Sequence, residues 1–232
     1  MKITPLHPWD VSPTEAVEIQ HRLRAKVSQE NDFDQIRTVA GIDVSIGGDI
    51  ARAAVVVLDY PQLTPLDQNL AELPVAFPYI PGLLAFREAP AILAALEGLS
   101  TEPDLFIFDG QGLAHPRRLG IATHVGIIID KPAIGCAKSR LCGSHREPAM
   151  EVGSRAYLYD GNEIIGAAVR TRTAVKPVYV SIGHKIDLET AINYILGCCR
   201  GYRLPETTRY AHRVAGGEKL SLGGTQPTLF DL

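Results

Sequence analysis

Three acidic residues stand in unusual company. Asp43 interrupts the apolar run of "VAGIDVSI", Asp109 closes "DLFIFD", and Glu88 ends "PGLLAFRE". A carboxylate in a mostly buried strand needs a cation or a set of donors. Three such acids, brought together, could share a divalent ion through hard oxygen ligands; Mg²⁺ suits that chemistry, and Mn²⁺ could substitute. Two ions held this way clamp an in-line attack of water on a phosphodiester and steady the leaving oxygen. Each acid alone could equally be a turn former, a cap or half of an ion pair.

The elements that must position these acids are legible in outline. Side chains alternate along a strand, so Asp43 shares a face with Val39, Gly41 and Ser45, while Ala40, Ile42, Val44 and Ile46 take the other. Gly41 and Ser45 are small, which leaves room for a ligand. Asp109 falls at the carboxyl end of its strand, where open α/β sheets place their sites. "PAILAALEGL" predicts a helix with Pro90 in its first turn and Gly98 near its end, setting Glu88 just ahead of the positive helix end. "TVAGIDVSIGG" and "ARAAVVVLDY" predict an antiparallel hairpin turning at Gly47, Gly48 and Asp49. "SPTEAVEIQHRLRAKV" opens with Ser12 as N-cap, Pro13 at the first helical position and Glu15 completing a capping box.

Further along, "HPRRLGIATHVGIIID" reads as a short helix followed by a buried strand. "NEIIGAAVRTR" and "PVYVSIGHK" read as strands, and "DLETAINYILGCCRGY" as a helix capped by Asp187 and stopped at Gly201. Strands and helices alternate, but the chain opens on a hairpin. That combination predicts an α/β fold with a mixed sheet and helices on its faces. A single domain is expected over residues 1–215. From Gly216 the chain is Gly-rich and aperiodic, which predicts a mobile tail over 216–232.

Composition narrows the class. With 232 residues and 46% hydrophobic content the chain can build a full core. No run approaches the ~20 apolar residues of a membrane span, and "MKITPLHPWDVSP" lacks a signal-peptide centre. A cytoplasmic protein, without a membrane role and monomeric, is expected. Cys198 and Cys199 are adjacent, and Cys136 and Cys142 lack CxxC spacing, so the four cysteines suggest buried thiols rather than disulfides or zinc. Residues 1–116 hold 7 Lys and Arg against 16 Asp and Glu, and residues 117–232 hold 16 against 10. Such asymmetry hints at a polyanion partner, with phosphates on the basic half and metal on the acidic half.

One stretch, "FPYIPGLLAFREAP", brackets Tyr79 and Ile80 between Pro78 and Pro81. Proline fixes φ, so the aromatic tip is stiff. Together with "VAGIDVS", "LFIFDGQGLAHPRRLGIATHVG", "IGCAKSRL" and "VSIGHKIDLETA", this stretch resembles the successive motifs of the endonuclease V family, in family order, to about His212. The resemblance implies a ribonuclease H-like fold and Mg²⁺-dependent cleavage of nucleic acid beside a deaminated base. In bacterial members that base is typically hypoxanthine in DNA. The implied cut is the second phosphodiester 3′ to the lesion, leaving a 3′-hydroxyl and a 5′-phosphate.

Carried over, Asp43, Glu88 and Asp109 match the metal-binding carboxylates, Lys138 a lysine near the scissile phosphate, and His212 a histidine near the metal. His115 is either a phosphate contact or a structural hydrogen-bonding residue. Pro78, Tyr79, Ile80 and Pro81 match a wedge at the lesion, which fills the gap left when the base leaves the stack. Gly82, Leu84, Gly110 and Ile121 match a pocket of backbone groups for that base. Tyr79 could instead pack on the protein itself.

Other classes stay open at this stage. They are an inosine ribonuclease of the same family, another ribonuclease H-like nuclease, an actin-like ATPase and a non-catalytic lesion-binding protein. The final residues, "QPTLFDL", resemble the clamp-binding peptide of bacterial repair proteins, with Gln226, Leu229 and Phe230 as anchors for a sliding clamp.

Overall fold

The computed structural model describes residues 1–222; the residues Gln226, Leu229 and Phe230 lie outside that range. The elements are α1 (Pro13–Leu23), β1 (Thr38–Gly47), β2 (Ile50–Asp59), β3 (Pro65–Pro74), α2 (Leu84–Glu97), β4 (Leu105–Phe108), α3 (Ile121–Ile129), β5 (Ala133–Ala137), β6 (Arg155–Asp160), β7 (Glu163–Val169), β8 (Val178–His184), α4 (Leu188–Gly197) and α5 (Glu206–Ala215). Eight strands form one mixed sheet in the order β3-β2-β1-β4-β5-β8-β7-β6. β1 runs antiparallel to β2 and parallel to β4, and β4 parallel to β5. On one face Ala40, Ile42, Phe106 and Phe108 pack against Ile92 of α2 and Val125 of α3. On the other, Val39, Leu58 and Ile107 pack in one cluster with Ile192 of α4 and Val214 of α5. This is the ribonuclease H-like arrangement, a mixed sheet with helices on both faces. Among the described residues no helix is long and apolar enough to cross a membrane.

The capping box of α1 forms as read: Ser12 Oγ accepts from the Glu15 N–H, and Glu15 Oε2 accepts from the Ser12 N–H at 2.8 Å. Other boundaries differ. α2 begins at Leu84 rather than at Pro90, which lies inside it. An interior proline loses one backbone bond, but Ala85, Phe86 and Ala89 are all buried on this earlier stretch, and their packing holds the helix together. Glu88 therefore sits within the helix, in its second turn, and not ahead of it. The expected buried strand in "IATHVGIIID" is a helix, α3, in which every residue is buried. Parallel neighbours need a crossover, and α3 supplies the one between β4 and β5. A segment apolar all round suits such a fully covered helix. The polar edge strand β3 has no alternating apolar signal to mark it. α4 stops at Gly197, ahead of Gly201. The body also continues past Ala215: Leu220 is buried and exchanges two hydrogen bonds with Gln68 of β3.

Candidate active site

In the parallel pairing of β1 with β4, Gly41 lies opposite Ile107 and Ile42 opposite Phe108. One step further, Asp43 comes level with Asp109, whose N–H donates to the Ile42 carbonyl at 2.9 Å. Glu88 arrives from α2 on one side of the sheet and His212 from α5 on the other. The His212 Nδ1–H donates to Asp43 Oδ2 at 2.7 Å, and the Val44 N–H donates to Asp43 Oδ1 at 2.9 Å. Gly41 does not leave room for a ligand, as its size suggested. A methyl group there would lie 1.9 Å from the Thr207 carbonyl oxygen. The space belongs to α5, and Ser45 Oγ donates to the carbonyl of Ala215 at its end, at 3.1 Å.

The Lys138 ammonium pairs with Asp109 Oδ2. Desolvation opposes the ammonium, yet the bond to Asp109 and the charge of Asp43 hold its pKa above the usual lysine value. Asp109, whose side chain is only 9% exposed, is raised by burial despite Lys138. Glu88 is pushed up to about 8, first by burial and then by Asp43; Arg87 offsets part of this and Asp109 adds to it. Three mutually repelling carboxylates of hard oxygen chemistry fit a divalent cation such as Mg²⁺ or Mn²⁺. They are neighbours without being a ready-made cage: among the described residues no three His, Cys, Asp or Glu are placed to hold a metal together. Two of the acids are turned to His212 and Lys138 instead.

Glu88 makes stability depend on pH. Its folded pKa of about 8 lies above the ordinary 4.5, so the stability carried by its proton is full below about 4.5 and is lost as pH rises through about 8. The metal-free protein is expected to lose stability progressively from pH 5 to pH 9, by an amount on the order of a few kcal/mol, and to melt lower accordingly. Glu88→Gln, neutral throughout, should flatten that slope. Melting curves in EDTA at constant ionic strength read both; an undiminished slope in the variant would assign the titration to another group.

A cavity of about 340 Å³ opens beside these carboxylates, with Asp109 and Lys138 in its wall. Gly82, Leu84, Gly110 and Ile121 all line it. Tyr79 stands at its edge, 70% exposed, so it does not pack on the protein itself. Ile80, between Tyr79 and Pro81, is half-buried against the cluster of Phe77, Leu83 and Phe86. The loop is thus anchored on either side and projects one aromatic ring. His115 is buried and pushed down to about 4, first by burial and then by Arg117. Its Nδ1 accepts from the Arg117 N–H at 3.1 Å and its Nε2–H donates to the Gly82 carbonyl at 3.0 Å. Both nitrogens are committed, which favours the structural role over a phosphate contact.

The loop that carries Lys138 is braced at two points. The Arg203 guanidinium donates to the Lys138 carbonyl, and Gln111 Nε2 donates to the Ser139 carbonyl at 2.8 Å. Arg203 lies between α4 and α5 in a segment with no motif, 65 positions from its partner, so nothing local in the sequence marks it. Gln111 lies inside "DGQG", but the type alone did not single it out.

A family model described as Endonuclease V matches residues 21–213. Endonuclease V of Methanothrix thermoacetophila is 56% identical over 212 residues, covering 91% of this chain and 94% of the relative. Among solved structures, endonuclease V of Streptomyces avermitilis superposes with a TM-score of 0.87 at 40% identity, covering 94% of this chain and 97% of the other. Endonuclease V of Ciona intestinalis, solved with a 23mer DNA containing an inosine followed by a ribo-adenosine, gives a TM-score of 0.77 at 29% identity, covering 89% and 98%. With the family model spanning most of the domain and relatives aligned over nearly their whole length, this chain belongs to the endonuclease V family.

Proposed function

We propose that this chain is a repair endonuclease acting on deaminated bases, chiefly deoxyinosine in DNA, and that it hydrolyses the second phosphodiester 3′ to the lesion. The shared wall of the cavity carries this reading: Asp109 and Lys138 belong at once to the pocket and to the carboxylate site. A base held in the pocket therefore delivers its own backbone to the acids. Asp43, Glu88 and Asp109 would hold Mg²⁺, or Mn²⁺ in its place. The bound ion would polarise the phosphoryl oxygens and lower the pKa of water. Lys138 could move its ammonium from Asp109 to a phosphate oxygen and neutralise charge that builds on the phosphoryl oxygens. His212, exposed and bonded to Asp43, would orient that carboxylate at the edge of the site. Attack by water breaks the P–O3′ bond; the water oxygen stays on the 5′-phosphate, and O3′ takes a proton to leave as hydroxyl. The test is a nicking assay on a strand with one inosine, with and without Mg²⁺, with the cut position mapped. Because the Ciona ligand carries a ribo-adenosine after its inosine, DNA and RNA versions of the strand belong in the same assay.

Tyr79→Ala tests the wedge separately. A base stacked on an aromatic ring contributes about 1–3 kcal/mol, so affinity for inosine-containing DNA should fall roughly fivefold to 150-fold. An exposed ring contributes little to folding, and the melting temperature should hold. Unchanged affinity in a gel-shift titration would sink the wedge role.

A further inference from the structure

We infer that Gln20 and Arg117 are positioning residues for base recognition, acting with His115 as a clamp on the Gly82 carbonyl. The inference rests on the base-reading role proposed above for the cavity. Gly82 sits at φ +80°, a conformation that L side chains rarely adopt. It follows Pro81 in a turn closed by the Leu83 N–H on the Ile80 carbonyl at 2.9 Å, the sequence a type II turn favours. Its carbonyl oxygen receives three donors: Gln20 Nε2 at 2.9 Å, His115 Nε2 at 3.0 Å and Arg117 Nη2 at 2.7 Å. A backbone oxygen has only two lone pairs, so this one is crowded with three donors, one from α1 and two from the loop of His115 and Arg117.

The donors are tied to one another as well. Arg117 Nε donates to Gln20 Oε1, Gln20 Nε2 also reaches the Leu119 carbonyl at 3.2 Å, and the Arg117 N–H holds His115 Nδ1. Gln20 is only 1% exposed, on an α1 face otherwise made of Ala16, Ile19 and Leu23. An apolar residue there would serve packing; the amide is explained by what it grips. Beyond the clamped turn, Leu84 and Ala85 open α2 and line the cavity. The first N–H groups of a helix have no partner within it, so they are donors for the polar edge of a base. Backbone donors carry no side chain of their own to adjust. Their aim depends on the groups that hold the turn, and small errors in aim are costly for recognition.

The experiment measures Kd for a duplex with one inosine and for the matched undamaged duplex, using full-length protein with Ca²⁺ in place of Mg²⁺. It compares the parent with Gln20→Leu, Arg117→Met and Arg117→Lys. The ratio of the two Kd values should fall by about tenfold in Gln20→Leu and Arg117→Met, with the undamaged Kd held within about twofold, and Arg117→Lys should fall between them and the parent. Partial misfolding scales both constants together and leaves the ratio unchanged, so it cannot mimic this result. A parent ratio well above one that survives Gln20→Leu and Arg117→Met overturns the clamp alone. A parent ratio of one overturns the base-reading role itself, and the clamp's role with it.

Discussion

Asp43→Asn should give a protein that folds and binds inosine-containing DNA yet cuts it on the order of 10³-fold more slowly. The reason lies in what the amide keeps and loses. An asparagine at this position would retain the size of the Asp43 side chain and an oxygen to accept from the Val44 N–H. It would lose the charge that, with Glu88 and Asp109, makes the site suitable for a divalent ion. Asp43 is also the acid on which Glu88 depends most after burial, so the substitution should lower the Glu88 pKa as well as the activity. Single-turnover cleavage and gel-shift binding, measured side by side, check the split. Wild-type rates in the variant would remove Asp43 from the chemistry. Loss of binding together with cutting would point to a positioning role, while binding without cutting, against a parent that cuts, excludes a protein that only recognises lesions.

Gly41→Ala is expected to do its damage without touching any acid. The added methyl would meet the Thr207 backbone carbonyl at 1.9 Å, and backbone cannot swing aside as a flexible side chain can. α5 would have to lift from β1, carrying His212 away from Asp43. Overpacking of this kind costs about 3 kcal/mol or more when the obstacle is backbone. Urea unfolding should show a shifted midpoint, and cleavage should fall beyond what His212→Ala alone produces. Gly47→Ala is the matched control in the same strand: nothing lies within 4 Å of the added carbon. Equal stability of the two variants would show that α5 does not need the contact.

These two residues mark different degrees of legibility. Asp43 could be singled out because a charged residue inside an apolar strand is costly unless something offsets its desolvation. Gly41, two positions earlier on the same face, also drew notice as a small residue, but its meaning was reversed. Whether a gap next to a strand receives a ligand or a helix depends on what packs there, and α5 lies more than 160 positions along the chain, with His212 169 positions from Asp43. The helix of Glu88 shows the same limit. Pro90 is a strong local signal for a helix start, yet buried Ala85 and Phe86 extend the helix ahead of it. The apolar run of α3 reads as a buried strand in the sequence, and the need to connect parallel β4 and β5 makes it a helix.

Local chemistry along the chain was enough to specify the class of fold, the hairpin of β1 and β2, the capped start of α1, the lone acids and the stiff loop around Tyr79. Each of these follows from alternation, caps, proline geometry or the cost of an isolated charge. The long motifs were also sufficient to reveal the family. The rest waited for the folded chain. Only there do Asp43 and Asp109 come level, Lys138 and His212 take up their oxygens, Arg203 and Gln111 brace the loop of Lys138, and Gln20, His115 and Arg117 converge on one carbonyl. Strand register and helix docking are set by packing between distant segments, and a hydrogen bond across such a distance leaves no pattern in either segment alone.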